Sequence, residues 1–162
     1  MPLFPSPCSM LARQFLPTAA KFAASVHART VLDFGPAFLP KGNGLQRAIP
    51  NEQKKRENAD LSVSCFSLSL LTREELVPLL DAMHCASPYV LLADFKVAER
   101  NLEVPACLLM GGIRKLSPSE AGCFKSYGGL EGLLYAERAR FQPLERLSLL
   151  GGSLSCVLAR NL

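Results

Sequence analysis

Two short apolar runs, residues 30–35 and 89–94, each deliver an aspartate to their C-terminal end, and this arrangement constrains the fold most. Short apolar runs rich in β-branched residues are typical of strands buried on both faces. A third run, residues 61–66, alternates small polar and apolar residues, and a helix signal separates it from residues 89–94. Strand–helix–strand units make parallel strands with a right-handed crossover. The sequence therefore predicts an α/β fold in which these strands end at one edge of a sheet.

The helix predicted between the strands at residues 61–66 and 89–94 has clear start and stop signals. Thr72 and Glu75 have the spacing of a capping box, in which each side chain satisfies a free backbone donor of the first turn. Pro88 follows the helix and is expected to end it. One face of the helix is predicted to be apolar and buried; it consists of Leu76, Leu79, Leu80 and Met83.

The N-terminal part of the chain is less regular. Residues 1–9 contain three prolines and are predicted to be an irregular tail. A helix is predicted to follow, with Ser9 as its cap; it extends to about Ala28 and bends near Pro17. Residues 36–59 hold further prolines and glycines and a polar run of both charge signs, so we predict an irregular segment without a strand.

The C-terminal part predicts an antiparallel pair of strands. Two apolar segments, residues 144–150 and 153–160, are joined by Gly151 and Gly152, a strong two-residue hairpin signal. With no internal repeat and 162 residues, the chain is expected to form a single domain over residues 1–162.

Composition narrows the class of protein. A hydrophobic fraction of 49% with 20% charged residues is that of a globular protein, and a net charge of +4 without aromatic interleaving argues against a nucleic-acid partner. Uncharged stretches are too short to span a membrane. None of the six cysteines forms a C-x-x-C pair, so we expect no metal site and a cytoplasmic location. The first thirty-two residues lack acids, which leaves a mitochondrial targeting segment as an alternative.

The candidate site follows from the strand ends, because open α/β sheets bind ligands outside the carboxyl ends of their strands. For any single residue there, the alternative is that it merely ends a strand or caps a turn. The candidate residues are Asp33, Gly35, Cys65, Phe66, Asp94 and Lys96.

The order of these elements resembles that of class I S-adenosylmethionine-dependent methyltransferases. Val31-Leu32-Asp33-Phe34-Gly35 is similar to the opening of the family's glycine loop, commonly V-L-D-x-G-x-G-x-G. Residues 60–71 resemble its fourth strand, residues 74–94 its following helix and fifth strand, and the Gly-Gly hairpin its terminal antiparallel pair. Residues 128–134 also resemble a part of certain small-molecule methyltransferases that lies near the substrate. The resemblance implies an incomplete Rossmann-like sheet, with parallel strands ending in an antiparallel C-terminal hairpin.

The resemblance also implies a function and roles for the candidate residues. The cofactor would be S-adenosylmethionine, and the partner a small-molecule methyl acceptor. Asp33 and Gly35 match the start of the cofactor loop, and Cys65 and Phe66 match positions beside the cofactor. Asp94 and Lys96 would face the acceptor. No residue is assigned as catalytic.

The chain departs from the family before residue 60. Pro36, Ala37 and Phe38 replace the later loop glycines, and residues 36–59 are too few for the two strands and helices that the family has there. The acid that holds the cofactor's ribose has no assignable counterpart. The alternative function is therefore a non-catalytic protein, either degenerate or truncated, that acts as a binding or partner module. A first strand left at the sheet edge would be covered by a homodimer or by residues 36–59.

Overall fold

The computed structural model describes residues 7–34, 45–47, 59–65, 68, 71–95, 126–149, 152 and 154–162. This part of the chain contains a six-stranded sheet with helices on both faces. The helices described there are α1 (Pro7–Ser25), α2 (Arg73–Ala86) and α3 (Gly129–Ala136). The strands are β1 (Val31–Asp33), β2 (Leu45–Arg47), β3 (Leu61–Cys65), β4 (Tyr89–Phe95), β5 (Phe141–Leu149) and β6 (Leu154–Asn161).

The sheet has the strand order β2-β1-β3-β4-β6-β5. The first four of these strands are parallel to one another, whereas β6 is antiparallel to both β4 and β5. The predicted α/β class, the parallel strands and the C-terminal hairpin are therefore confirmed. The carboxyl ends of β1, β3 and β4 lie at one edge, as the crossover argument requires.

The prediction that residues 36–59 contain no strand was wrong. Leu45 pairs with Val31 and Arg47 with Asp33, so β2 lies parallel to β1. It therefore covers β1, which the sequence predicts as the edge strand of the sheet. With only three residues and a polar Gln46 at its centre, β2 has too little periodicity to show as a strand in the sequence. Of the two predicted ways of covering β1, the structure shows the intramolecular one.

Side-chain alternation divides the core into two layers. On one face, Phe15, Ala19 and Phe22 of α1 belong to a buried cluster with alternate residues of the central strands. On the other face, the leucines of α2 and α3 pack with Leu32, Val90, Leu92, Val157 and Ala159. Burial on both faces explains why these strands appear in the sequence as nearly continuous apolar runs.

Helix α2 matches its prediction closely. The Glu75 carboxylate accepts a hydrogen bond of 3.0 Å from the backbone N–H of Thr72, which confirms the capping box. The four predicted apolar residues are its buried residues, and the helix ends at Ala86, before Pro88. A second pair of residues with capping-box spacing, Ser117 and Glu120, lies outside the described residues.

Helix α1 begins earlier than predicted. It starts at Pro7 and runs through Pro17, so three residues assigned to the irregular tail are helical. Proline is favoured at the first helical position, where its missing N–H costs nothing, and Pro7 is therefore a better start signal than the Ser9 cap. None of the helices within the described ranges is both long and apolar enough to cross a bilayer.

Candidate functional site

Three of the six candidate residues lie at the carboxyl edge of the parallel strands. Asp33 and Cys65 are the last residues of β1 and β3, and Asp94 is the penultimate residue of β4. All three are buried, with exposed fractions of 5%, 1% and 0%. Gly35, Phe66 and Lys96 lie outside the described residues.

The three side chains occupy opposite faces of the sheet. Asp33 and Cys65 alternate with the residues of the α2–α3 layer and so point to the α1 face, as Val63 does. Asp94 follows Val90 and Leu92 on the α2–α3 face. The structure thus brings the predicted cofactor residues Asp33 and Cys65 to one face, and the predicted acceptor residue to the other, at a common edge.

The thiol of Cys65 is held in its neutral form. Burial raises the pKa of Cys65 well above its ordinary value, and the negative charges of Asp33 and, more weakly, Asp94 raise it further. Cys156 lies two strands away on the same face, and burial raises its pKa to about 12. Both thiols are therefore in the neutral form at neutral pH, which is the less nucleophilic form of cysteine.

Serines on the α2–α3 face were not anticipated. Ser64 and Ser155 are buried at the same edge as Asp94, with exposed fractions of 0% and 6%. The alternation Leu61-Ser62-Val63-Ser64-Cys65 was the available signal, since it places serines on one face of a strand whose other face is apolar. In the sequence, this alternation predicts only a strand.

Ser62, in contrast, has a local structural role. The Ser87 hydroxyl lies 2.8 Å from the Ser62 oxygen and 2.6 Å from the carbonyl oxygen of Tyr89. Because a hydroxyl has one proton, Ser87 donates to the carbonyl and accepts from Ser62. This chain of hydrogen bonds joins the end of α2 to β3 and β4, away from the carboxyl edge.

The segment expected near the substrate from its resemblance, residues 128–134, forms the beginning of α3. Leu130, Leu133 and Leu134 are buried against the α2–α3 face of the sheet. These side chains are core residues, and α3 contacts β4. Across the described ranges, no group of three or more His, Cys, Asp or Glu side chains is placed to hold a metal ion.

Several solved structures that are similar to this chain are methyltransferases. No protein-family model and no curated protein matches the sequence. The methyltransferase domain of bacterial CtHen1 is 13% identical, with a TM-score of 0.62, over 93% of this chain and 98% of that one. The N-methyltransferase NodS from Bradyrhizobium japonicum WM9, solved with S-adenosyl-L-homocysteine, is 12% identical, with a TM-score of 0.60 over 92% of this chain and 86% of its own.

A third similar structure extends the comparison to another substrate. Magnesium protoporphyrin IX methyltransferase (ChlM) from Synechocystis PCC 6803, with S-adenosyl-L-homocysteine bound, is 9% identical, with a TM-score of 0.57 over 94% of this chain and 84% of its own. Identities this low show the fold alone. The strand order, the antiparallel C-terminal pair and these likenesses together establish that the chain has the fold of class I S-adenosylmethionine-dependent methyltransferases.

Proposed function

We propose that the protein binds S-adenosylmethionine at the carboxyl edge of β1 and β3 and transfers its methyl group to a small molecule. The observation that carries this proposal is the pair of buried carboxylates, Asp33 and Asp94, that flank Cys65 at this edge of a methyltransferase fold. S-adenosylmethionine carries a positive sulfonium, and a poorly solvated site with two nearby carboxylates attracts a cation.

The division of the site between the sheet faces supports separate roles for its residues. We assign Asp33 and Cys65 to the cofactor, together with Gly35, two residues after Asp33, and Phe66, the residue after Cys65. Asp94 is assigned, with Lys96, to the methyl acceptor. Because the strand ends are adjacent, the two ligands would meet at one edge of the sheet, which is what transfer between them requires.

Methyl transfer needs little from the protein beyond alignment. The acceptor atom attacks the methyl carbon in line with the carbon–sulfur bond, and that bond's electron pair returns to sulfur. A base is needed only where the acceptor must lose a proton. The raised pKa of Cys65 has a protective role in this scheme, because a thiolate beside the sulfonium would compete with the acceptor for the methyl group.

The first test is whether the cofactor product binds. Millimolar S-adenosyl-L-homocysteine should raise the melting temperature; a ligand at a hundred times its Kd stabilises by about 2.7 kcal/mol. Asp33→Asn keeps the side-chain shape but removes the charge, and should weaken S-adenosylmethionine more than S-adenosyl-L-homocysteine, whose sulfur is a neutral thioether. Asp81→Asn is the control, since Asp81 is an exposed residue of α2 that pairs with Arg140.

The same titrations decide between the two candidate functions. The melting temperature of each variant without ligand shows whether the variant itself is folded. Absence of any ligand-induced rise in the wild-type chain would reject cofactor binding and favour the non-catalytic alternative. Binding without transfer of labelled methyl groups to a panel of amines, phenols and carboxylates would indicate a protein that keeps the cofactor but not the reaction.

A further inference from the structure

The order of the strands changes direction next to β1. The chain passes from β1 to β2 on one side and then crosses to β3 on the other side, so that the order is β2-β1-β3. These strands are parallel, and their carboxyl ends lie together. In open α/β sheets, ligands bind outside the carboxyl ends of the strands at such a change of direction. A ligand bound there is within reach of the end of β2, because neighbouring strands are only about 4.8 Å apart.

Strand β2 ends in an arginine. Arg47 is its last residue and is the register partner of Asp33, the last residue of β1. In doubly wound sheets that bind dinucleotides, an acidic residue hydrogen-bonds the ribose 2′-hydroxyl, or a nearby arginine accommodates a 2′-phosphate in its place. The sequence offers no assignable acid for a ribose, and the second strand of this sheet ends in a cation.

The two residue types make opposite demands on a ligand. A carboxylate only accepts hydrogen bonds, so it suits the O–H groups of an unmodified ribose. A guanidinium only donates hydrogen bonds, and its planar fork matches the oxygens of a phosphate. An arginine at the end of β2 therefore favours an anionic group where an acid would favour free hydroxyls.

We infer that Arg47 makes the nucleoside end of the site selective for a ribose that carries a phosphate, so that 2′- or 3′-phosphorylated adenosine competes with S-adenosylmethionine. The inference rests on the proposed function, because it takes the carboxyl edge as a nucleoside site. The charge of the neighbouring strand agrees with it. A cation at the register position next to Asp33 reduces the repulsion between that carboxylate and a bound phosphate.

Four adenosine compounds test this selectivity. Adenosine has free hydroxyls, the 2′- and 3′-monophosphates carry the phosphate on the ribose ring, and adenosine 5′-monophosphate has the same charge at another position. In chemical-shift titrations, the better of the 2′- and 3′-monophosphates should bind at least about tenfold more tightly than adenosine or the 5′-monophosphate. The same compound should displace radiolabelled S-adenosylmethionine, and the preferred isomer shows which ribose hydroxyl lies nearest Arg47.

Substitutions of Arg47 should change this preference in a graded way. Arg47→Gln should remove it. Arg47→Glu should reverse it, so that adenosine and S-adenosyl-L-homocysteine bind more tightly than to the wild type. Arg160→Glu is the matched control, because it makes the same change of charge at an exposed residue that pairs with Tyr89, the first residue of β4, at the opposite edge of the sheet. It should leave every Kd unchanged, and the melting temperature without ligand shows whether each variant is folded.

Equal Kd values for adenosine and its three monophosphates in the wild type, or an unchanged preference in Arg47→Gln, would overturn the inference. A fall in melting temperature without a change in any Kd would limit Arg47 to balancing the charge of Asp33, and would overturn it as well. If S-adenosyl-L-homocysteine stabilises the chain while a ribose phosphate makes no difference, only this inference falls. If the ribose phosphates bind selectively and S-adenosyl-L-homocysteine does not bind, only the proposed methyl transfer falls. Absence of binding by every compound would reject both.

Discussion

Thr30 and Asp60 donate hydrogen bonds to each other at the edge of the sheet opposite the candidate site. The Asp60 carboxylate accepts from the backbone N–H and the hydroxyl of Thr30 at 2.8 and 2.9 Å, and the Asp60 N–H donates to the Thr30 hydroxyl oxygen at 3.0 Å. The backbone N–H of Arg29 donates to the same carboxylate oxygen at 2.8 Å. This cluster ties the segment before β1 to the start of β3.

The first prediction concerns the pH dependence of stability. Hydrogen bonds from the backbone of Thr30, and then of Arg29, lower the pKa of Asp60 below its ordinary value of 3.8. A carboxyl with a lowered pKa in the folded state contributes stability that is fully present above 3.8 and is lost as pH falls through the folded pKa. Urea unfolding between neutral pH and pH 3 should therefore show that the free energy of unfolding falls more steeply for the wild type than for Asp60→Asn. Parallel curves for the two proteins would contradict the assignment.

Two glycines near α3 should differ in their tolerance of a methyl group. A Cβ on Gly132 would lie 1.5 Å from the backbone oxygen of Tyr127, which is not free to move away. Gly132→Ala should therefore destabilise the protein by about 3 kcal/mol, as overpacking does. At Gly128 a Cβ meets nothing within 4 Å, but φ is +78°, so Gly128→Ala should cost about 1–2 kcal/mol for the left-handed backbone alone. Denaturant titration of both variants tests whether Gly132→Ala is the more destabilising. An equal loss of unfolding free energy in the two variants would refute the steric argument.

Asn161 at the end of β6 caps the last turn of α2. Its side-chain nitrogen donates to the carbonyl oxygen of Ser87 and, at 3.2 Å, to that of His84, while its backbone N–H donates to Pro88 at 2.9 Å. Asn161→Ala should cost about 1–2 kcal/mol, since it leaves helix carbonyls without a donor. Asn161→Asp should cost more, because it turns a carboxylate toward those carbonyls. Thermal unfolding measures both, and an aspartate variant as stable as the wild type would exclude the cap.

Much of the fold could be predicted because local signals and the global arrangement agree. Thr72, Glu75 and Pro88 bound α2, and the Gly151-Gly152 pair marks the hairpin, through physics that acts within a few residues. The strand β2 was missed because its three residues are held by pairing with β1, which no local pattern encodes.

The candidate site was predictable only in part. The strand ends place Asp33, Cys65 and Asp94 at one edge, since parallel crossovers allow no other arrangement. Their division between two faces depends on which residue of each strand comes last, and the pairing of Asp94 with Ser155 depends on register between distant segments. Such long-range relationships are set by the packed sheet and not by sequence spacing.

The last prediction concerns three of the six cysteines, Cys65, Cys85 and Cys156, whose environments differ sharply. Cys85 is exposed near the end of α2, whereas Cys65 and Cys156 are buried and have raised pKa values. Alkylation requires an accessible thiolate, so a brief iodoacetamide pulse at pH 8 should modify Cys85 in the folded protein and spare the other two. Peptide mass mapping gives the extent of modification at each site, and the same pulse in denaturant should modify all three. Rapid alkylation of Cys65 in the folded chain would show that the carboxyl edge is open to solvent, and it would remove the basis for a thiol kept neutral beside the cofactor.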